Sequence, residues 1–303
     1  MAAVHLQDTA LRYFHEVAQC GSVSLASQRL HVAASAVSRQ IAGLEAQLGT
    51  PLFERHARGM VLTAAGEILA EHARRMGLDA ERALEAIHAL QGLRRGSVRI
   101  ATSDAFANEL VPQLCAEFRR SNQGVRFDVL VCGTGQVSQK VLSGEADLGL
   151  RFSLAPEKDI RVAYRQSAPV LAVLPPTHPL ARQRLVSLAE LTRCPLALPP
   201  PETTVRQMID MACSRQELAL EPILVSNLAK TMLHFVMHEG GVSVSSEVGV
   251  RHLVATGALA ARPLSDAGMD LRDIEVQTLA GRTLPHAAEA FLALLCQRLQ
   301  TPW

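Results

Sequence analysis

No apolar run in this sequence approaches the ~18 residues needed to span a bilayer. The longest, APVLAVLPP, is short and ends in prolines. The opening MAAVHLQDTALRYF has no basic flank followed by an apolar stretch. No secretory signal is therefore expected, and the chain should stay in the cytoplasm, away from membranes. Six cysteines (Cys20, Cys115, Cys132, Cys194, Cys213, Cys296) are scattered with no CxxC pair. A zinc cage or a thioredoxin-like site lacks its spacing here. In a reducing cytosol these cysteines read as small apolar residues, with a redox pair of Cys194 and Cys213 as the alternative. Charge of one sign is also missing: 30 Lys and Arg face 29 Asp and Glu, a net of +1. Any DNA binding must therefore rest on a few placed arginines rather than on a broad basic field.

Catalytic signatures are absent too. There is no GxSxG elbow, no HExxH and no Walker sequence. The histidines are dispersed without a paired nucleophile. GTGQVS at 133–138 follows a predicted strand, but it is GxGxxS. It also lacks the acidic strand end ~20 residues later that a dinucleotide loop needs. The expectation is a chain that is not an enzyme and holds no metal or cofactor. An enzyme with a Rossmann-like α/β domain is the weaker alternative. A transport binding protein would carry a signal and would have no use for residues 1–95.

What is present is a globular chain. It has 303 residues, 48% of them hydrophobic, and a mean hydropathy of +0.13. That suffices for a sizeable core and more than one domain. In LQDTALRYFHEVAQCG, Ala10, Phe14, Val17 and Ala18 repeat at helical spacing, and Gly21 is a natural stop. In SLASQRL, Ser24 can cap a second helix with Leu25, Ala26 and Leu30 inward. A short connector leads to SAVSRQIAGLEAQL, ended by Gly49 and Pro51. At ~100° per residue, Val37, Ile41, Leu44 and Leu48 share one face. Ser35, Ser38, Arg39 and Ala42 share the other. Two short helices joined tightly, the second with a slim polar face, suit a helix-turn-helix. Its second helix enters the major groove, where serine reaches base edges or phosphates and arginine pairs with guanine or phosphate. A solvated helix of an ordinary bundle is the other reading of the same spacing.

PLFERHARGMVLT then reads as a small hairpin beside that helix. Arg55 and Arg58 near its tip are placed for phosphates or the minor groove. Thr63 caps a long helix, roughly 64–91. Ala73, Ala80 and Ile87 as a positions make Leu69, Met76, Ala83 and Leu90 d positions, a sustained heptad seam. A homodimer is the natural way to bury it; packing onto the C-terminal region is the alternative.

The run GSVSLASQRLHVAASAVSRQIAGLEAQLGTPLFERHARGMVLTAAGE resembles the signature of LysR-type transcriptional regulators. The resemblance implies a winged helix-turn-helix whose recognition helix begins near Ala34. By match to the family pattern, Ser35, Ser38 and Arg39 contact DNA in the groove, with Arg58 from the wing. One departure matters. Many members carry Ser-Gln where this chain has Ala33-Ala34, so the cap is left to backbone or water and a glutamine base contact is lost. Readout there should be looser, or rest on methyl contacts to thymine.

Beyond a polar break at 94–96, strand and helix alternate: VRIA, LVPQLCAEFRR, VRFDVLV, VSQKVLSG, ADLGLRF. The alternation resumes from PVLAVLP through GGVSVSS and closes with DIEVQTL and AAEAFLALLCQRL. This argues for α/β architecture with parallel sheets. THPLA at 177–181 and GRTLPHAAEAFLALL at 281–295 resemble the effector-binding domain of the same family, which is periplasmic-binding-protein-like. The resemblance implies two lobes joined by crossing strands near 163–168 and 264–272. The expected domains are 1–63, winged helix-turn-helix; 64–95, linker and dimerisation helix; and 96–303, effector binding. Lobe I covers about 96–165 and 268–303, and lobe II about 166–267.

Ligands of open α/β sheets bind beyond the carboxyl ends of strands, where helix N-termini converge. Candidates by position are Thr102, Ser103 and Asp104, then Gly133, Thr134, Gly135 and Gln136, then Arg151. In the second lobe they are Thr203, Thr204, Arg206, Ser226 and Asn227. Helix starts with hydroxyls favour a carboxylate or phosphate, and Arg151 or Arg206 would strengthen that. The family's frequent pocket hydroxyl falls at Ala105. Asp104 disfavours a second negative charge and points to a donor group on the ligand. The effector expected is a small organic carboxylate or amino-acid-like compound. The partners expected are double-stranded DNA with an inverted repeat, the effector, a homo-oligomer (dimer or tetramer), and RNA polymerase.

Overall fold

The structure, a computed structural model, describes residues 8–56, 59–90 and 96–300, with the side chains of 85 and 88–90 left outside. The chain divides into two compact units: Met1–Leu93 with Arg282–His286, and Arg94–Gly281 with Ala287–Trp303.

In the first unit, α1 (Thr9–Cys20) starts where the Asp8 carboxylate accepts the N–H groups of Ala10 and Leu11, and stops at Gly21 in the left-handed region. Helix α2 (Val23–Leu30) is capped by Ser22, not Ser24: the Ser22 hydroxyl accepts the Leu25 N–H at 3.3 Å. That phase turns Leu25 outward, 40% exposed, while Ala26 is fully buried. Helix α3 (Ala34–Leu48) begins at Ala33 with no side-chain cap and ends at left-handed Gly49. Strands β1 (Phe53–His56) and β2 (Gly59–Leu62) pair antiparallel, Phe53 opposite Leu62 and His56 opposite Gly59. Helix α4 (Ala64–Leu90) follows. The Thr63 hydroxyl accepts the Gly66 N–H at 3.0 Å and donates to the Pro51 carbonyl at 2.8 Å, so one side chain caps α4 and ties it to the hairpin.

The core of this unit gathers Phe14, Val17, Ala26, Val37, Ile41, Leu52, Phe53 and Ala73. Two sequence expectations change here. Leu48 is 52% exposed, because the last turn of α3 runs past the bundle. Ala73 is fully buried and Leu69 packs on the same core, so both serve the unit's own interior rather than the outer seam. The seam that stays open begins at Met76, 37% exposed, passes half-buried Ala80 and exposed Ala83, and reaches Ile87, 47% exposed. The Leu90 side chain lies outside the described residues.

In the second unit the order is β3 (Gly96–Thr102), α5 (Asp104–Ala107), α6 (Leu110–Ser121), β4 (Val125–Val131), α7 (Thr134–Leu142), β5 (Leu148–Ser153) and β6 (Ile160–Ser167). Then come β7 (Leu171–Leu174), α8 (Leu188–Leu191), β8 (Leu196–Leu198), α9 (Thr204–Arg215), β9 (Leu224–Val225) and α10 (Ala229–Met237). The unit ends with β10 (Val242–Ser245), α11 (Glu247–Ala255), β11 (Ala260–Pro263), β12 (Asp273–Leu279) and, from its second residue Ala287 on, α12 (His286–Gln300). Two five-stranded sheets result, β4-β3-β5-β12-β6 and β11-β7-β10-β8-β9. They are mixed rather than parallel. In the first, β12 runs antiparallel to both β5 and β6; in the second, β7 runs antiparallel to β10 and β11. Each lobe keeps a parallel heart and is completed by a strand that arrives from, or leaves for, the other lobe.

The passages between lobes lie side by side. Ala168 donates its N–H to the Arg272 carbonyl at 2.7 Å, and Val170 to Met269 at 2.8 Å. Strand β6 stays in the first sheet through Ser167, so the first passage starts a few residues later than the sequence suggests. Arg272 pins the hinge. It is 3% exposed, lies 4.0 Å over the Phe152 ring and donates Nε–H to the Ala168 carbonyl at 3.2 Å. Burial pushes its guanidinium down to about 10. Among the described residues no helix is long and apolar enough to cross a membrane.

Candidate nucleic-acid interface and effector cleft

Helix α3 separates its residues by face. Val37 is fully buried and Ile41 nearly so, whereas Ser35, Arg39 and Ala42 are exposed and Ser38 half-buried. The slim face thus carries one long donor, Arg39, between small neighbours, and the oily face is held by α1 and α2. On the hairpin, Arg55 is exposed on β1, opposite Met60. Glu54 and His56 flank it and touch each other at 3.2 Å. Arg58 lies outside the described residues.

The hairpin's position is fixed by groups that sequence reasoning passed over. The Glu45 carboxylate, on α3, accepts the N–H groups of Leu52 at 2.8 Å and Phe53 at 3.4 Å. The Met60 N–H donates to the Gly21 carbonyl at 2.8 Å. Gly59 sits at φ +129, where a Cβ would fall 2.6 Å from that carbonyl; only glycine suits both demands. Wing and recognition helix are therefore one rigid reading head. Replacing Glu45 by alanine leaves two backbone donors unpaired, and a loss of about 1.5–3 kcal/mol is expected. Chemical denaturation followed by a probe in the N-terminal unit measures it.

The strand-end candidates of the second unit separate into engaged and open groups. Thr102 is fully buried, and its hydroxyl donates to the Leu150 carbonyl at 3.0 Å, so it serves the sheet rather than a ligand. Ser103 is 9% exposed with a buried hydroxyl that has no partner among the described residues. Asp104 reaches across the lobes: its carboxylate accepts the Ala229 N–H, the first of α10, at 2.5 Å. Gln136 is spent on the Gly133 N–H, while Gly135 is exposed and Thr134 opens α7. Arg151 is 9% exposed, and its terminal nitrogens donate to Ser138 at 2.6 Å, Glu157 at 2.8 Å and Ser153 at 3.3 Å, while its buried Nε finds no partner among the described residues. Arg206 pairs with Asp210 at 2.8 Å. Thr203 caps α9, accepting the Arg206 N–H, beside half-buried Thr204. Ser226 accepts the Leu228 N–H, and Asn227 is exposed. The two arginines expected to supply positive charge are thus already matched to carboxylates.

Polarity runs on inside lobe I. Ser138 donates to Gln277 at 2.7 Å, Gln277 to Glu275 at 2.9 Å, and Arg165 donates to Glu275 at 2.6 Å. This buried chain links Arg151 to the outer strand β6. All six cysteines are free thiols. Burial pushes the Cys194 and Cys213 thiols up, with Glu190 adding to the first and Asp210 and Asp266 to the second. Fewer thiolates mean slower oxidation. A Cys194→Ser, Cys213→Ser double variant is expected to keep wild-type regulation in a reporter assay with and without peroxide.

A winged helix-turn-helix followed by two α/β lobes around a cleft defines a DNA-binding regulator with a small-molecule domain. Comparison with known proteins gives the family. Residues 9–67 match the model described as bacterial regulatory helix-turn-helix protein, lysR family, and residues 91–300 match the LysR substrate binding domain. The chain belongs to the LysR family of transcriptional regulators. It is 31% identical over 188 residues, 62% of either chain, to the RuBisCO operon transcriptional regulator of Allochromatium vinosum. It is 25% identical over 298 residues to a probable RuBisCO transcriptional regulator of Trichormus variabilis, spanning 96% of this chain and 88% of that one. A full-length OxyR structure from Pseudomonas aeruginosa shares the fold at TM-score 0.70 and 23% identity, over 97% of this chain and 95% of that one. Regulators of this family bind DNA through the helix-turn-helix, bind small-molecule effectors and form oligomers.

Proposed function

We propose that the chain is a cytoplasmic regulator, not an enzyme, that reads an inverted-repeat promoter site as a dimer or tetramer. A small organic effector, carboxylate or amino-acid-like, sets its activity from between the lobes, and RNA polymerase is the downstream contact. One observation carries the DNA reading: the exposed face of α3 holds Ser35, Ser38 and Arg39 around little bulk, above a core that fixes their direction. Apolar edges support the oligomer. Val129, Leu130 and Val131 on edge strand β4 are 42–47% exposed, and Ile223, Val225 and Leu228 around edge strand β9 are 50–64% exposed. Such strands ask for cover, as does the Met76–Ile87 seam.

The mechanism follows from the hinge. A ligand that favours one angle between the lobes shifts their population. Oligomer contacts carry that shift to the paired reading heads, changing the spacing and bend of the DNA. A DNase footprint on the adjacent intergenic DNA, with and without a panel of small carboxylates and amino acids, tests it. The expected result is a footprint over two half-sites that changes in length or hypersensitivity with one ligand class. A footprint, bend and transcript level all indifferent to every ligand would sink the mechanism.

A further inference from the structure

Between α5–α6 of lobe I and α10–α11 of lobe II lies a groove of ≈ 310 Å³, apart from the strand-end residues considered above. Its walls differ in sign. Lobe I contributes the Glu109 carboxylate and the Asn108 amide; lobe II contributes Lys230 and His252. Glu109 and His252 face each other across it at 4.0 Å. Lys230 makes no ion pair among the described residues. Leu233 and Val248 give it an apolar side. One end is held by the cross-lobe bond from the Ala229 N–H to Asp104.

Resting on the effector-responsive reading, we propose that this groove binds a small zwitterion, an α-amino acid or close analogue. Its carboxylate lies toward Lys230 and His252, its ammonium toward Glu109, and its side chain on Leu233 and Val248. The argument is one of matching. A plain acid that draws Lys230 and His252 to its carboxylate leaves Glu109 with the Gln113 amide, which donates to it at 3.3 Å, and no cation. A plain amine does the reverse. Only a molecule with both signs pairs both walls, and doing so it bridges the lobes. The strand-end arginines do not compete for this role, since Arg151 and Arg206 are already matched to Glu157 and Asp210.

The test uses the full-length protein in calorimetric titrations with the common amino acids. For each amino acid that binds, the matched deamino acid and the matched decarboxylated amine are titrated too. The expected result is binding of at least one amino acid, with both analogues about tenfold weaker or worse. Glu109→Gln and Lys230→Met are each expected to weaken it by a similar factor, with circular dichroism unchanged. Three results would overturn the proposal: no amino acid binds; the deamino acid binds as well as its parent; or Arg206→Gln removes binding while the groove variants keep it. The operator footprint without ligand is a separate readout. If it is present while the titrations fail, the groove assignment falls and the regulator stands. If the wild-type protein gives no footprint on any intergenic DNA, the regulator reading falls itself.

Discussion

Replacing Arg39 by alanine is expected to abolish operator-specific binding while leaving the oligomer intact. The exposed face of α3 offers Ser35, half-buried Ser38 and Arg39, and no side chain caps the helix at Ala33. Arg39 is the one long, permanently charged donor there. A bidentate arginine contact to a base discriminates by about 1–3 kcal/mol. The dimer on two half-sites proposed above would use it twice, so about 2–6 kcal/mol of specific affinity is at stake, enough to bring binding down to the non-specific level. Non-specific, salt-sensitive attraction through Arg55 and other cations should persist. Lysine at 39 keeps the charge but not the planar fork, and is expected to recover affinity without selectivity. The oligomer should be untouched because Arg39 is exposed on α3 and belongs neither to the Val37–Ile41 core nor to the open seam, which lies on α4. Gel shifts at fixed salt against operator and scrambled DNA, with gel filtration alongside, measure all three. Near wild-type affinity of the Arg39→Ala protein for the operator would mean that α3 is not the reader.

Much of this head was legible in the sequence, for a physical reason. Helix periodicity is local, and the Val37–Ile41 stripe and the stops at Gly21 and Gly49 each depend on neighbours within a turn or two. The misses occur where a longer-range packing event decides. Leu48 has the right angle to be buried, but the bundle ends before it. Leu69 and Ala73 have the right heptad register for a partner helix, but the hairpin and α1 reach them first. In the second unit, strand and helix order was legible while sheet direction was not, because the antiparallel strand β12 returns from 120 residues or so beyond its neighbour β5. The arginines show the limit for sites. Arg206 with Asp210 is an i,i+4 pair that spacing alone suggests. Arg151 with Ser138, Gln277 and Glu275 is a tertiary chain with no local signature. Glu45 was missed for the same reason: the N–H groups that donate to its carboxylate lie seven and eight residues away, around a turn.

Gly66→Ala is expected to be the most damaging single change in the N-terminal unit, against the usual sense of that substitution. In an open helix, alanine for glycine stabilises by about 1 kcal/mol. Gly43 on α3, with nothing within 4 Å of a built Cβ, should behave so. At Gly66 the same Cβ would stand 2.1 Å from the Leu52 carbonyl oxygen and 2.9 Å from the Leu62 side chain. The half-buried Leu62 side chain can rotate away, but the backbone carbonyl cannot withdraw cheaply. The Leu52 carbonyl accepts the Thr63 N–H at 3.0 Å, the Leu52 N–H is held by Glu45, and its side chain is fully buried. Relief requires α4 to lift from the hairpin, which breaks the Thr63 cap at the Gly66 N–H and opens the core at Leu52 and Phe53. A loss of about 3 kcal/mol follows from overpacking of this kind. Because the two units need not melt together, the readout must be unit-specific: hydrogen exchange of α1–α4 amides, compared with those of β3 and β5. Protection should fall in the first set and hold in the second, and operator binding should fall with it as the wing loses its seat. Equal protection in Gly66→Ala and wild type would show that α4 does not rest on the hairpin as closely as the Leu52 contact requires.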